Sequence, residues 1–267
     1  MISAFSAKKY KPKNVELVCM CDTKLFKYKK LLMYVFDRVI KIKLSKVKSH
    51  HPNEKYHWIG YSISKHQIYN GLPTNFGKQY EKILFLDADI IVFSKKFFNI
   101  FKCPTPSFYI RDIAGVKIES EKFKSFKKYN SPVDYQNGYN QEISKFNYFI
   151  DAGIMLIKPS KKFYKDYMKF ISSIDGNIQN TKQSGIDETT MLYYITKNKI
   201  KFHLFKPQFN ISSWRDNSKN FYSKNYISKI NPWEKDLKDM WDEEKIWYIL
   251  KLGLYKKYPE VKQLDKI

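Results

Sequence analysis

Short apolar runs along this chain alternate with stretches of helical spacing, which predicts an α/β fold with a mostly parallel central sheet. The first strand is expected over residues 15–21, VELVCMC, and a second over 38–44, RVIKIKL. A helix is expected over residues 58–69, closed by the breaker sequence Asn70-Gly71-Leu72-Pro73. Ile83–Leu86 is continuously apolar and reads as a strand buried on both faces, with apolar residues resuming at 90–93. Residues 118–146 are polar and aromatic with little periodicity, as in a long loop or flap. Order returns in a strand over Tyr148–Ile157. Pro159 then precedes a helix carrying Phe163, Tyr167, Phe170 and Ile171 at near-amphipathic spacing. A further helix is expected from Ser184 through Ile195, a strand over 201–205, and an aromatic terminal helix spanning Trp233, Trp241, Trp247 and Leu250.

The length of 267 residues suits one domain with a real core: an α/β part over 1–232 and a helical segment over 233–267. Cys19, Cys21 and Cys103 are too few and too scattered for a disulfide framework or a four-ligand zinc site, so a reducing, cytoplasmic setting is expected. No run approaches the length needed to span a bilayer, and the first residues lack the apolar block of a secretory signal. The formal charge of +23 invites a nucleic-acid reading. Only Arg38, Arg111 and Arg215 are arginine among 49 basic residues, however, and base readout leans on the arginine fork. Lysine-rich nucleic-acid binding is therefore the non-enzymatic rival rather than the leading reading.

The sharpest chemical signal is Asp87-Ala88-Asp89, between two apolar runs. Residues i and i+2 of a strand point to one side, so the carboxylates are expected to converge where a strand leaves the sheet, the usual ligand edge of open α/β folds. Their mutual repulsion would be cancelled by a hard divalent cation, Mn²⁺ or Mg²⁺; a turn and helix cap is the plainer alternative. His50, His51 and His57 lack ligand-spaced partners and read as a surface loop. Asp187 and Glu188 stand where acids favour a helix start whatever the protein does.

Four segments in order, KILFLDADIIVF, FIDAGIMLIKPS, SGIDETTMLYYI and NYISKINPW, resemble the pattern of glycosyltransferase family 8, glycogenin-like members in particular. The resemblance spans residues 15–233 and implies a GT-A, Rossmann-like fold. It implies a retaining transferase moving a hexose, glucose or galactose, from a UDP-sugar. Asp87 and Asp89 would hold the cation that bridges the diphosphate, and Asp151, Ala152 and Gly153 would touch the sugar. Asp187 would lie beside the anomeric carbon, with Glu188 next to it, as nucleophile or as electrostatic support. Lys65, on the helix before the metal strand, occupies roughly the place of a basic donor contact.

This chain also departs from the pattern. Asp151 stands where relatives carry asparagine; it accepts hydrogen bonds from hydroxyls but cannot donate. Asn225 replaces the histidine expected as third metal ligand, and Asn231 replaces a lysine on the diphosphate, with Ser228 and Lys229 nearby. Weak metal affinity and weak activity are therefore expected. The first strand of the family also looks absent, which reads as truncation or divergence. A haloacid-dehalogenase-like phosphatase shares D-x-D after a strand, but Ile91 and the downstream segments fit it less well. The expected partners are the UDP-sugar, an acceptor that is protein, glycan or lipid, and a second copy in a homodimer. A catalytically impaired binding or scaffold relative is the alternative reading.

Overall fold

The computed structural model describes residues 1–45, 54–72, 80–112, 148–174, 186–209, 211–212, 222–225, 238 and 242–266. The expected flap at 118–146 and the residues Ser184, Ser228, Lys229, Asn231, Trp233 and Trp241 lie outside them. In chain order the α-helices and strands are α1 (Ile2–Tyr10), β1 (Val18–Cys21), α2 (Thr23–Phe26), α3 (Lys29–Leu32) and β2 (Arg38–Lys41). Then come β3 (Ile83–Leu86), β4 (Ile90–Val92), β5 (Ser107–Asp112), β6 (Tyr148–Ile157), α4 (Lys161–Ile174) and α5 (Ile186–Lys197). The chain continues through β7 (His203–Leu204), β8 (Ile211–Ser212), β9 (Ser223–Asn225) and α6 (Asp242–Lys257). Stretches of 3₁₀ helix occupy Glu54–Asn70, Lys95–Lys102 and Pro259–Lys266.

The result is an α/β fold in which parallel and antiparallel pairing are mixed. Parallel pairs join β1 to β2, β5 to β7 and β8 to β9, whereas β4–β9 and β5–β6 run antiparallel. The chain divides into two compact units.

The first unit holds Met1–Lys43, Leu86–Lys102 and Lys206–Ile267. Its core joins Ile2, Val35 and Ile91 to Trp247 and Leu254 of α6 and to Val261, so the aromatic terminal helix does pack on apolar surface. Two serines let α1 approach β4 closely. Ser6 Oγ accepts the Val92 amide at 3.0 Å and donates to the Ser3 carbonyl at 2.6 Å. All of β4 is buried. The strand before it is not: within β3 only Ile83 is buried, and Leu84, Phe85 and Leu86 are half-buried. The expectation of a doubly covered β3 is corrected accordingly, because a continuous apolar run reports affinity for burial and not how many layers arrive to cover it.

The second unit holds Leu44–Phe85 and Cys103–Phe205 and carries the sheet in the order β3-β6-β5-β7. Helix α4 lays Tyr167 and Ile171 inward as its spacing predicts, and Phe163, Tyr167 and Phe170 contact Tyr194 of α5 with ring centroids 5.2–5.4 Å apart. The segment expected to be helical over 58–69 is 3₁₀ in character, and its period is three rather than 3.6. Side chains at i and i+3 therefore eclipse. Ile63, His66 and Tyr69 form one fully covered face, and Ser62 and Lys65 lie together on the next.

Gly71 ends this helix at φ +80, the left-handed region that glycine enters freely. An added Cβ would meet only Pro159 Cβ at an ordinary 3.8 Å, so the cost of a side chain is conformational rather than steric. Gly71→Ala is expected to cost about 1–2 kcal/mol, read as a lowered midpoint in urea; an unchanged midpoint would show that the turn does not need its glycine.

Candidate functional site

Candidate residues fall in both units, and each group has its own geometry. In the second unit they converge on an irregularity in β6. The β5–β6 ladder pairs Phe108 with Met155 and then Tyr109 with Asp151, so residues 152–154 bulge out of register. A bulge leaves backbone groups without ladder partners, and side chains take their place. The Asp151 carboxylate, 1% exposed, accepts the Gly153 amide at 2.8 Å. The Ala152 amide donates to Glu188 Oε1 at 3.3 Å, and the Ala152 carbonyl accepts from Lys65 Nζ at 3.2 Å. Gly153 itself keeps an ordinary backbone: among the described glycines only Gly71 has positive φ.

Lys65 also pairs with Asp187 Oδ2 at 2.8 Å, and Ser62 Oγ donates to Asp187 Oδ1 at 2.9 Å. The ammonium lies 5.1 Å above the Phe85 ring, a cation–π contact on the strand that precedes the two aspartates in the chain. The Lys65 and Asp187 side chains are only 13% and 4% exposed. Burial alone would raise the Asp187 carboxyl, but the Lys65 and His66 charges and the hydrogen bonds from Lys65 and Ser62 outweigh it and hold the group below the usual carboxylate range. Burial pushes the neighbouring His66 down to about 3, Asp187 opposing and Lys65 assisting. Of the two charges, Lys65 is the larger influence keeping Asp187 ionised. Asp187 sits in the first turn of α5, yet its oxygens serve this buried network, so dipole compensation alone does not account for it.

Six of the expected residues, Lys65, Asp151, Ala152, Gly153, Asp187 and Glu188, thus meet in one network built from three separate chain segments. Two members had not been expected. Ser62 was legible only to a three-residue period ending at Lys65. His66 lies on the next face of the same helix, with neither ring nitrogen hydrogen-bonded among the described residues.

In the first unit, Asp87 and Asp89 do not lie on a strand, which corrects the alternation argument for their convergence. They flank a tight turn between β3 and β4, in which the Ile90 amide donates to the Asp87 carbonyl at 3.2 Å. Both are half-buried, and Asp89 Oδ1 is wholly shielded from solvent. Ser3 of α1 also donates to the Asp87 carbonyl, at 3.4 Å. The antiparallel register sets Asn225 opposite Ile90, one residue beyond Asp89. The third expected ligand position is therefore brought to the same turn by backbone pairing. Two carboxylates and an amide carbonyl are hard oxygen donors, which fit Mn²⁺ or Mg²⁺ when a diphosphate and water complete the shell. Among the described residues no three His, Cys, Asp or Glu side chains cluster as a protein-only metal site.

No protein-family model matches this sequence, and no curated protein does. Solved structures do match. The fold is similar to that of the glycosyltransferase GlyE of Streptococcus pneumoniae TIGR4, with a TM-score of 0.54 and 11% identity, over 94% of this chain and 57% of that one. The chain thus spans less than two thirds of GlyE. The apo form of GlyE gives 0.49 at 12% identity over 96% and 59%, and mouse xyloside xylosyltransferase 1 gives 0.44 at 14% over 78% and 82%. The architecture is accordingly an α/β fold of the GT-A type, shared with a solved glycosyltransferase.

Proposed function

We propose that this chain is a retaining glycosyltransferase resembling family 8, which moves a hexose from a UDP-sugar to an acceptor with the help of a divalent cation. The observation that carries the reading is the buried network around Asp187. A transferase with an oxocarbenium-like transition state needs an anion held ionised in a dry place, and Lys65 with Ser62 supplies that state to Asp187. Each Asp187 oxygen accepts from a donor, which favours electrostatic support of the anomeric centre over nucleophilic attack. The bulge at Ala152, held by Glu188, Lys65 and the Asp151–Gly153 bond, would form a rigid wall for the sugar. Asp151 contributes by fixing the bulge, its carboxylate accepting the Gly153 amide.

Asp87, Asp89 and Asn225 would hold Mn²⁺ or Mg²⁺, which when bound polarises the leaving diphosphate. Asn225 is a weaker donor than imidazole toward Mn²⁺, so millimolar metal is the appropriate starting condition.

A panel of UDP-sugars with Mn²⁺, read by titration calorimetry and by mass spectrometry of acceptors and of the protein itself, tests the reading. Metal-dependent heat and hexose addition are expected. Asp187→Asn should reduce turnover about 10²–10³-fold while leaving nucleotide binding, and Asp89→Asn should remove the metal-dependent heat. Absence of both heat and transfer at millimolar ligand would overturn the proposal. Nucleotide binding without turnover would favour an impaired binding relative.

A further inference from the structure

The α2–α3 segment of the first unit carries a feature that sugar transfer does not use. Lys24, Lys27, Lys29 and Lys30 are all exposed, and no acidic residue occurs between Asp22 and Asp37. The two bracketing acids are engaged locally: Asp22 accepts the Leu25 amide at 2.8 Å, and Asp37 accepts the Leu17 amide at 2.8 Å and pairs with Lys11 at 3.1 Å. Beside the lysines, Met33 is 40% and Tyr34 is 37% exposed, although Leu32 and Val35 on either side are buried at 2% and 0%. The apolar pair is therefore surplus to the core. Lys8 Nζ donates to the Tyr34 carbonyl at 3.0 Å, and the Tyr258 ring, with Lys257 above it, lies 5.4 Å from the Tyr34 ring. Cations thus ring an exposed thioether and phenol.

We propose that this face docks on an anionic lipid bilayer. Lysines are attracted to the negative headgroup layer, and a tyrosine and a methionine at its centre suit the boundary between headgroups and acyl chains. A bare phosphate polymer would use the lysines and leave Met33 with nothing to bury against. Arginine, which clamps phosphates bidentately, is absent from the patch. The inference concerns peripheral attachment; no described helix is long and apolar enough to cross a membrane.

Sedimentation of the full chain with phosphatidylcholine vesicles, with and without phosphatidylserine, tests it. Each lysine near an anionic surface contributes about fivefold to partitioning. Binding is expected only to the anionic vesicles, and the quadruple variant Lys24→Gln, Lys27→Gln, Lys29→Gln, Lys30→Gln should lose nearly three orders of magnitude. Met33→Ser should lose severalfold. The matched quadruple Lys158→Gln, Lys161→Gln, Lys165→Gln, Lys169→Gln removes the same charge from exposed positions of the second unit and should lose far less. Circular dichroism reports whether each variant is folded, and the comparison of vesicles with wild-type protein needs no variant. The proposal is overturned by equal losses in the two quadruple variants, which would mean net charge alone. It is equally overturned by no binding to anionic vesicles, or by an inert Met33→Ser with double-stranded DNA showing the same lysine dependence.

Discussion

Replacing Lys65 with methionine is expected to destabilise the protein by about 3–5 kcal/mol, because it leaves the Asp187 carboxylate buried without its cation. Methionine fills the volume of the lysine stem, so packing over Phe85 is largely kept. What disappears is the 2.8 Å ion pair and the 3.2 Å bond to the Ala152 carbonyl. Ser62 remains as a donor at 2.9 Å, but one neutral hydrogen bond does not offset the desolvation of a carboxylate that is 4% exposed. The pH dependence should also change sign. In the wild-type protein the Asp187 group is depressed in the folded state, so its contribution is present above the unfolded value near 3.9 and is lost as acid titrates the folded group. In the variant, burial is no longer outweighed, the group rises, and the penalty grows as pH increases above about 4. Urea denaturation at pH 5 and pH 7 measures both effects. Adding Asp187→Leu to Lys65→Met should recover most of the loss, since a buried ion pair is worth little against an apolar replacement. A Lys65→Met protein as stable as wild type would show that the pair does not hold the second unit together.

Acid should destabilise the protein well above the range in which carboxylates titrate, and His66 is the reason. The unfolded chain binds a proton at this residue below about pH 6.5, whereas burial withholds it in the folded state until about 3. Unfolding therefore takes up a proton throughout that window, and stability falls as pH falls. The unfolding equilibrium is expected to shift about tenfold per pH unit, roughly a thousandfold across the window. His66 is closed in by aromatic neighbours: Tyr167 edge-on with centroids 4.9 Å apart, and Tyr69 stacked at 6.1 Å. His66→Phe retains those contacts and removes the titrating group. Chemical denaturation between pH 7 and pH 4 should then show a flatter profile in the variant, while the slope that carboxylates add near pH 4 is common to both proteins. Identical slopes would mean that His66 charges freely in the folded state.

The two predictions concern residues whose legibility in the sequence differed. Asp187 stood out through a four-segment resemblance, and Lys65 through its rough place on the helix before the metal strand. Their pairing was not visible, because Lys65 and Asp187 lie on segments far apart in the chain and local pattern carries no record of which distant charges meet. His66 was silent: a histidine between a lysine and a glutamine looks solvated, and only the three-residue period of its helix turns it inward. The Asp87–Asp89 pair stood out as a candidate cation site, but its geometry was misread, since spacing of two implies one face only on a strand and these residues flank a turn.

Strands β1, β2, β3, β6 and β7, helices α4, α5 and α6, the breaker at Gly71 and the inward face of α4 were determined by the sequence alone. Each depends on neighbours within a few positions, where side-chain volume and backbone preference act directly. The tertiary structure decided that β3 is covered only in part, that β6 bulges at Ala152, that Asn225 lies in register beside the aspartate turn, and that Asp187 is neutralised by Lys65 in a buried place. Those outcomes depend on which remote segments close on one another. That choice is made by the balance of burial, desolvation and hydrogen bonding over the whole chain, which no local window contains.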